Sequence, residues 1–329
     1  MHDELEPKKK RFKLFDSQRE GKGITKEQAN LPPNLKKFFI LYKRDFSRLL
    51  SVNIILVLGN FPIFFLLLPL SGIFSVDFAT AVSGAYPLFA GVTANGAVSA
   101  PILALNGILG AQTAGSTYLP IAYVFFGLSL LTFLTFGLVN TGTAYVVRNM
   151  VKGDPVFVWA DFWYAVKRNL KQGFLFGILD LLLLVLLPFN ILHYSTGEGF
   201  FNGILFWLTI VAGIVYLVMR RYIYIQMVTF DLKITKILKN ALILSILGFK
   251  RNILAFFGVI ALCALTLLCA TFPPTLSLSI AIPLVLLFSN ASYMTTYAAY
   301  FKIKDLMIDP YYEQKKEENE ASEEESSEA

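Results

Sequence analysis

A carboxylate inside an apolar run is the group in this sequence best placed to do chemistry. Asp180 lies in the stretch FLFGILDLLLL, about seven residues or roughly 10 Å beyond the start of an apolar segment. A carboxylate at such a depth costs about 2.5–3.5 kcal/mol on insertion scales, so we expect it to face other helices and to have partners there. The sequence leaves two interpretations open: a proton- or solute-binding carboxylate, and a structural partner for Asn140, Thr141 or an arginine of a neighbouring helix.

Other small and polar residues in apolar segments indicate helix packing. Gly173 and Gly177 lie on the same helical face as the aspartate, in a GxxxG arrangement that permits close contact between helices. Asn60, Asn140 and Asn290 are further intramembrane polar candidates, and we expect them to form hydrogen bonds between helices rather than to bind a substrate. The glycine face is therefore predicted to be the packed face of its helix.

The remaining reactive residue types form no catalytic or metal-binding pattern. The histidines are His2 and His193, and the cysteines Cys263 and Cys269 are six residues apart, which puts them on different faces of a helix. A metal site needs several converging ligands, and the chain has no glycine-rich phosphate-binding motif. The sequence therefore predicts no enzymatic activity, no metal and no cofactor.

Composition excludes an ordinary soluble domain. Apolar residues make up 55% of the chain and charged residues 16%, whereas soluble domains carry about 25% charged residues. The mean hydropathy is +0.59, and the apolar residues come in runs long enough to cross a hydrocarbon core about 30 Å thick. The net charge of +6 does not indicate nucleic-acid binding, because the cations are not clustered on one folded polar face.

The distribution of cations predicts the topology. Of 29 Lys and Arg residues, 13 lie in 1–49, five in 148–172, seven in 220–252 and four after 300, with none in between. Cytoplasmic loops of membrane proteins carry this excess of cations. We therefore expect a multi-pass protein of the cell membrane with both termini in the cytoplasm, whose basic loops contact the lipid bilayer.

The predicted fold class is all-α, a polytopic transmembrane helical bundle with about six spans. The flanks, residues 1–35 and 306–329, are predicted to be a loosely ordered basic N-terminus and a disordered acidic tail. Residues 71–118 are rich in Gly, Ala, Ser and Thr and are predicted to be an outer segment, whether external, re-entrant or membrane-inserted. The predicted spans are about 50–70, 119–147, 173–191, 201–219, 253–270 and 276–300.

Two cytoplasmic connections are predicted to contain interfacial amphipathic helices. In the first, Asp154 is the expected N-cap, and Arg168 lies on the polar face opposite an apolar stripe. In the second, apolar residues recur at helical spacing between 234 and 242. The first stripe fits either an interfacial anchor or a docking groove for a partner, and its aromatic members are Trp159, Phe162 and Trp163.

The segment from Gly137 to Asp180 resembles the YesL-like family, a domain of unknown function of bacterial integral membrane proteins. The matching features are Val147-Arg148, the Lys-Gly-Asp motif that begins at Lys152, WADFW at 159–163 and KRNLKQ at 167–172. The resemblance extends over residues 36–305. The chain departs from the family in its long outer segment and its extended N-terminus.

This resemblance implies a helical fold in a cell membrane and genes found beside sugar-importing ABC transporters, without established binding or catalytic residues. It leads us to expect a non-enzymatic accessory or regulatory subunit associated with carbohydrate uptake, with an ABC-type sugar permease as its partner. The alternative is a small-solute or ion-coupled transporter that uses Asp180.

Overall fold

The computed structural model describes residues 31–95 and 99–328. It is 83% helical with five or six candidate membrane spans, so the predicted all-α polytopic bundle is confirmed. The predicted loosely ordered N-terminus falls almost entirely outside the described residues. The helices and strands are α1 (Leu35–Gly59), α2 (Pro62–Leu70), β1 (Ser75–Ala81), α3 (Tyr86–Asn95), α4 (Ala100–Leu109), β2 (Gln112–Tyr118), α5 (Pro120–Ser129), α6 (Leu131–Lys152), α7 (Val158–Arg168), α8 (Leu170–Thr196), α9 (Phe200–Thr229), α10 (Ile234–Leu247), α11 (Phe249–Thr271), α12 (Leu276–Ile282), α13 (Phe288–Ile303) and α14 (Asp309–Glu328).

Within the described residues, five helical stretches are long and apolar enough to cross a membrane. The broken pair α1 and α2 makes a sixth if it forms one span. The chain divides into two compact units, residues 61–132 and the remainder. The five spans are Pro120–Lys152, Leu170–Thr196, Phe200–Thr229, Phe249–Thr271 and Pro273–Glu320.

Helix α1 joins the basic and aromatic stretch over residues 36–48, whose composition is typical of a helix at the membrane interface, to the first predicted span. It is one continuous helix of 25 residues that includes both the basic stretch and part of the first predicted span. The reason is Asp45, which is fully buried and forms ion pairs with Arg44 and Arg48. Arg44 also donates to the carbonyl oxygens of Met150 (3.0 Å) and Gly153 (2.8 Å). These contacts hold the basic stretch of α1 against the end of α6, within the larger unit.

The basic connections of the larger unit meet at one end, here called the basic end. An Nη of Arg148, near the end of α6, donates to the carbonyl of Val228 at 3.0 Å. The Gln172 side chain, at the start of α8, donates to the carbonyl of Leu232 at 3.0 Å. The cations that the sequence predicts on one side of the membrane therefore belong to connections that contact one another.

Packing in the larger unit is concentrated at the basic end. The buried residues of α8 lie between Gly173 and Leu181, and those of α9 between Gly213 and Val228. Helix α11 buries only Asn252, and α12 buries none of its residues. Residues 182–196, 200–212 and 253–271 are called the outer halves below. They present apolar side chains that the described part of the chain does not cover.

The smaller unit contains two strands that the sequence analysis did not predict. β1 and β2 pair antiparallel in a register that runs from Ser75 opposite Tyr118 to Ala81 opposite Gln112. Helices α3 and α4 have ten residues each, about 15 Å, which is half the thickness of a hydrocarbon core. The edge groups of an open two-stranded sheet need water or protein as hydrogen-bond partners.

The acidic tail is helical, where the sequence predicts disorder over residues 306–329. The chain passes from α13 through one π-helical turn (Lys304–Ile308) into α14. Glu and Lys are strong helix formers, and a helix that extends an existing one avoids the cost of nucleation. Local propensity therefore explains the helix without a buried core.

Glycines allow two spans, α6 and α8, to approach each other closely. A Cβ on Gly137 of α6 would overlap the carbonyl oxygen of Gly173 and the Cα of Gly177, and a Cβ on Gly177 would overlap the Cα of Gly137. The predicted GxxxG face of α8 thus packs directly on α6. Gly137 is the partner that the sequence analysis did not identify.

We expect Gly177→Ala to separate α6 from α8 and to lower stability by at least about 1–3 kcal/mol, because backbone rather than a flexible side chain must move. Gly203→Ala is the matched control, because nothing lies within 4 Å of a Cβ at that position. Thermal unfolding of both variants in the same detergent measures the difference. Equal melting temperatures would show that the glycine contact does not hold the two spans together.

Candidate functional site

The intramembrane carboxylate is held by three side chains of one neighbouring helix. Asp180 of α8 accepts hydrogen bonds from the hydroxyl of Tyr216 at 2.8 Å and from that of Tyr224 at 2.6 Å. The Nε of Arg220 lies 2.6 and 2.7 Å from the two carboxylate oxygens. All three donors belong to α9, so the interaction joins α8 to α9 inside the bundle.

The ion pair is removed from solvent and lined by aromatic rings. Asp180 has no accessible surface, and the side chain of Arg220 is 17% exposed. The Arg220 guanidinium carbon lies 5.4 Å from the ring centres of both Phe136 and Tyr224. A carboxylate with three donors has little remaining capacity for a ligand, so a solute or proton could bind only by displacing part of this network.

Arg220 lies inside its helix, where the sequence analysis placed the end of the fourth span. Helix α9 continues nine residues beyond it, to Thr229. Asp180 is ten residues from the start of α8, so the two charges lie at matching heights of about 14–15 Å from the basic ends of antiparallel helices. A cation that forms an ion pair with a carboxylate at the same depth can lie within a span, so Arg220 need not mark the end of one.

The sequence carries a signal for this site that the sequence analysis missed. Tyr216, Arg220 and Tyr224 follow one another at intervals of four residues, which places three donors on one face of a helix. An intramembrane acid requires such donors. The pattern could therefore have identified α9 as the partner among the options left open for Asp180.

Two of the three predicted intramembrane asparagines bond within their own helices. Asn60 donates to the carbonyl of Leu56 and Asn140 to that of Phe136, each at 2.8 Å and within one turn. Asn290 of α13 has a side-chain oxygen that is buried without a hydrogen-bond partner, but its side chain also forms a hydrogen bond with Tyr42 of α1. Backbone carbonyls four residues earlier are the nearest acceptors for a polar side chain in a helix.

Asn53, which the sequence analysis overlooked, also forms hydrogen bonds between helices. Its amide nitrogen donates to the carbonyls of Pro283 (3.1 Å) and Leu284 (2.8 Å), and its oxygen accepts from the backbone nitrogen of Ser289 at 2.9 Å. The two carbonyls belong to the π-helical turn Pro283–Leu287, where the regular helical ladder is interrupted, and Ser289 follows that turn by two residues. Asn53 therefore satisfies backbone groups that this irregular turn leaves unpaired.

The aromatic stripe of α7 is divided between two environments. Phe162 is buried against Gly142 of α6, together with Val166. Trp159 and Trp163 are 38% and 53% exposed. The exposed tryptophans remain available to a lipid headgroup layer or to a partner, and Arg168 lies on an exposed part of the same helix.

The start of α7 differs from the predicted cap. The helix begins at Val158 rather than after Asp154, which instead forms an ion pair with Lys152 at 2.8 Å. Asp161 takes the capping role, since its carboxylate accepts from the backbone nitrogen of Phe157 at 3.0 Å. Burial raises the pKa of Asp161, and the hydrogen bond from Phe157 opposes that shift.

No metal centre emerges from residues 31–95 and 99–328, where no three His, Cys, Asp or Glu side chains lie close enough to hold an ion. The best-defined polar site there is the Asp180 network. Its geometry is suited to holding α8 and α9 in fixed positions relative to each other, because donors of α9 occupy both oxygens of the Asp180 carboxylate.

Comparison with known proteins supports the resemblance. Residues 117–191 match the model of a family described as "Protein of unknown function, DUF624". This is the YesL-like family that the motifs between Gly137 and Asp180 indicated, so the prediction is confirmed for that segment. No curated protein and no solved structure matches the chain.

We expect Asp180→Ala to destabilise the protein by about 3–5 kcal/mol, because it leaves the Arg220 cation buried without its partner. The double variant Asp180→Ala/Arg220→Met should recover much of this loss by removing the unpaired charge. Thermal unfolding in detergent measures both. Asp305→Ala is the matched control, since it breaks an exposed pair with Arg251 that is worth about 0–1 kcal/mol. A double variant less stable than Asp180→Ala would contradict the account.

Proposed function

We propose that this multi-pass membrane protein is a non-enzymatic accessory or regulatory subunit of carbohydrate uptake, and that it binds an ABC-type sugar permease within the cell membrane. The observation that carries the proposal is the uneven packing of the larger unit. Its helices form a tight core at the basic end, whereas α11 buries only one residue and α12 none. The apolar outer halves are suited to contact with helices of a second membrane protein.

A small residue on the outer half of α9 supports helix docking. A Cβ on Gly203 of α9 would meet no atom within 4 Å, and this glycine is exposed; glycine permits the closest approach of a second helix. Gly137 and Gly177 show what such glycines do when a partner is present within the chain. The open Gly203 therefore marks the surface of α9 on which we place the permease.

The carbohydrate part of the proposal derives from the family resemblance, which associates related chains with sugar-importing ABC transporters. The orientation with both termini in the cytoplasm derives from the distribution of cations. In this orientation the exposed Trp159 and Trp163 of α7 face the cytoplasmic side, where a transporter couples ATP hydrolysis to movement of its membrane subunits.

The Asp180 network counts against the alternative of a transporter that uses this carboxylate. Asp180 is bonded to one arginine and two tyrosines and has no accessible surface. Binding and release of a proton or ion would require this network to open and reform in each cycle. A fixed structural pair between α8 and α9 requires no such rearrangement.

We expect the tagged protein, extracted from its host with a mild detergent, to co-purify with the membrane subunit of a sugar-importing ABC transporter. Gly203→Ile should reduce the recovered permease severalfold without changing the melting temperature of the isolated chain, since the added side chain would meet only the partner. Quantitative mass spectrometry measures the ratio of the two proteins.

Gly127→Ile is the matched control for this experiment, because the glycine at that position of α5 is equally open but lies in the smaller unit. Equal loss of permease with both variants would argue against the α9 surface. Recovery of the chain alone, or only with transporters of other solute classes, would contradict the proposed function.

A further inference from the structure

Arg221 is a cation that the Asp180 network leaves unpaired. Its neighbour Arg220 is neutralised by Asp180, but Arg221 points about 100° away around the helix. No direct hydrogen bond or ion pair joins Arg221 to a residue in the described part of the chain, and Asp180, which Arg220 already neutralises, attracts it only through space. One carboxylate and two guanidinium groups at the same height leave a net charge of one positive unit.

The length of α9 places this cation near the inner edge of the membrane. Arg221 lies 21 residues after Phe200, the first residue of the helix, which corresponds to about 32 Å. The hydrocarbon core of a bilayer is about 30 Å thick. A helix that enters at its outer end therefore brings Arg221 to the inner boundary of the hydrocarbon core, from which a long arginine side chain reaches the lipid phosphates, whereas the Asp180 and Arg220 side chains point into the bundle.

The interfacial helix α10 marks the same level independently. Tyr222, the next residue, donates to the side-chain oxygen of Asn252 at 3.0 Å, and its hydroxyl lies against Gly248, between α10 and α11. Helix α10 packs on α9 and exposes both apolar and basic side chains, as expected of a helix at the headgroup layer. Its exposed residues include Leu242, Ile243, Ile246 and Leu247, and Lys236 and Lys239.

Apolar side chains continue from Arg221 toward the outer side of the membrane. Leu217 and Ile214 precede it by four and seven residues, on the same face of α9, and are 49% and 43% exposed. An anion bound at Arg221 would therefore lie at the end of an exposed apolar strip. A phospholipid matches this arrangement, because its acyl chains can cover the strip while its phosphate meets the cation, whereas free phosphate would leave the strip uncovered.

We propose that Arg221 binds the phosphate of an anionic phospholipid in the inner leaflet. The planar guanidinium group donates two parallel hydrogen bonds to phosphate oxygens, and one anionic headgroup balances the one uncompensated charge of this part of the bundle. The lipid would lie against α9 with its acyl chains along Leu217 and Ile214. This proposal does not depend on the identity of any protein partner.

The test compares lipid retention by the wild-type chain with that of Arg221→Gln and Lys239→Gln. The second variant removes one positive charge from an exposed position on α10. The purified proteins are mixed with phosphatidylglycerol or phosphatidylcholine in detergent, and bound lipid is counted by native mass spectrometry. We expect the wild type to retain phosphatidylglycerol in preference, Arg221→Gln to bind it about fivefold more weakly, and Lys239→Gln to resemble the wild type.

Equal retention by Arg221→Gln and the wild type would overturn the proposal. A third arm adds millimolar inorganic phosphate without phosphatidylglycerol. If phosphate alone stabilises the wild type but not Arg221→Gln, the site binds a free anion, and the proposal of a lipid ligand is overturned. If Arg221→Gln does not fold, Arg221→Lys replaces it, because lysine keeps the charge but lacks the forked donor. Weaker retention by that variant supports the site, and unchanged retention overturns it.

Discussion

Ionised side chains cannot remain unpaired in hydrocarbon, and this constraint organises the whole bundle. The chain meets it in two ways. Its basic connections gather at one end, where Arg148 and Gln172 donate to backbone carbonyls of neighbouring connections. The acid that lies within a span, Asp180, receives a cation and two hydroxyls from α9 at the same height. Charge compensation thus determines both the orientation of the helices and the pairing of two of them.

The same constraint explains why the protein is tightly packed at only one end. Hydrogen bonds are directional, so the residues that form them with buried polar groups must be held in place by close packing. Asp45, Asn53 and the Asp180 network all lie in regions where the helices are buried. The outer halves contain no Asp, Glu, Lys or Arg, and their apolar side chains can be covered equally well by lipid or by a partner helix. That end of the molecule is consequently free to serve as a contact surface.

The sequence predicts most of this architecture because the signals are long and strong. Runs of apolar residues and the segregation of cations indicate a multi-pass helical bundle, and an intramembrane acid indicates that partners exist. The identity of the partner was harder to predict, because Arg220 beside Arg221 resembles the end of a span. The hairpin of β1 and β2 was missed, since its Gly-, Ala- and Thr-rich strands lack an alternating apolar pattern. Asn53 was missed because its acceptors lie 230 residues away in an irregular turn.

The orientation of the basic end is tested most directly by labelling single cysteines in intact cells with a reagent that does not cross membranes. The native Cys263 and Cys269 are first replaced by serine, and one cysteine is then introduced at Lys236 in α10 or at Ser195 near the end of α8. The account predicts labelling at position 195 in intact cells, and at position 236 only after the membrane is permeabilised. Labelling at position 236 in intact cells would contradict it.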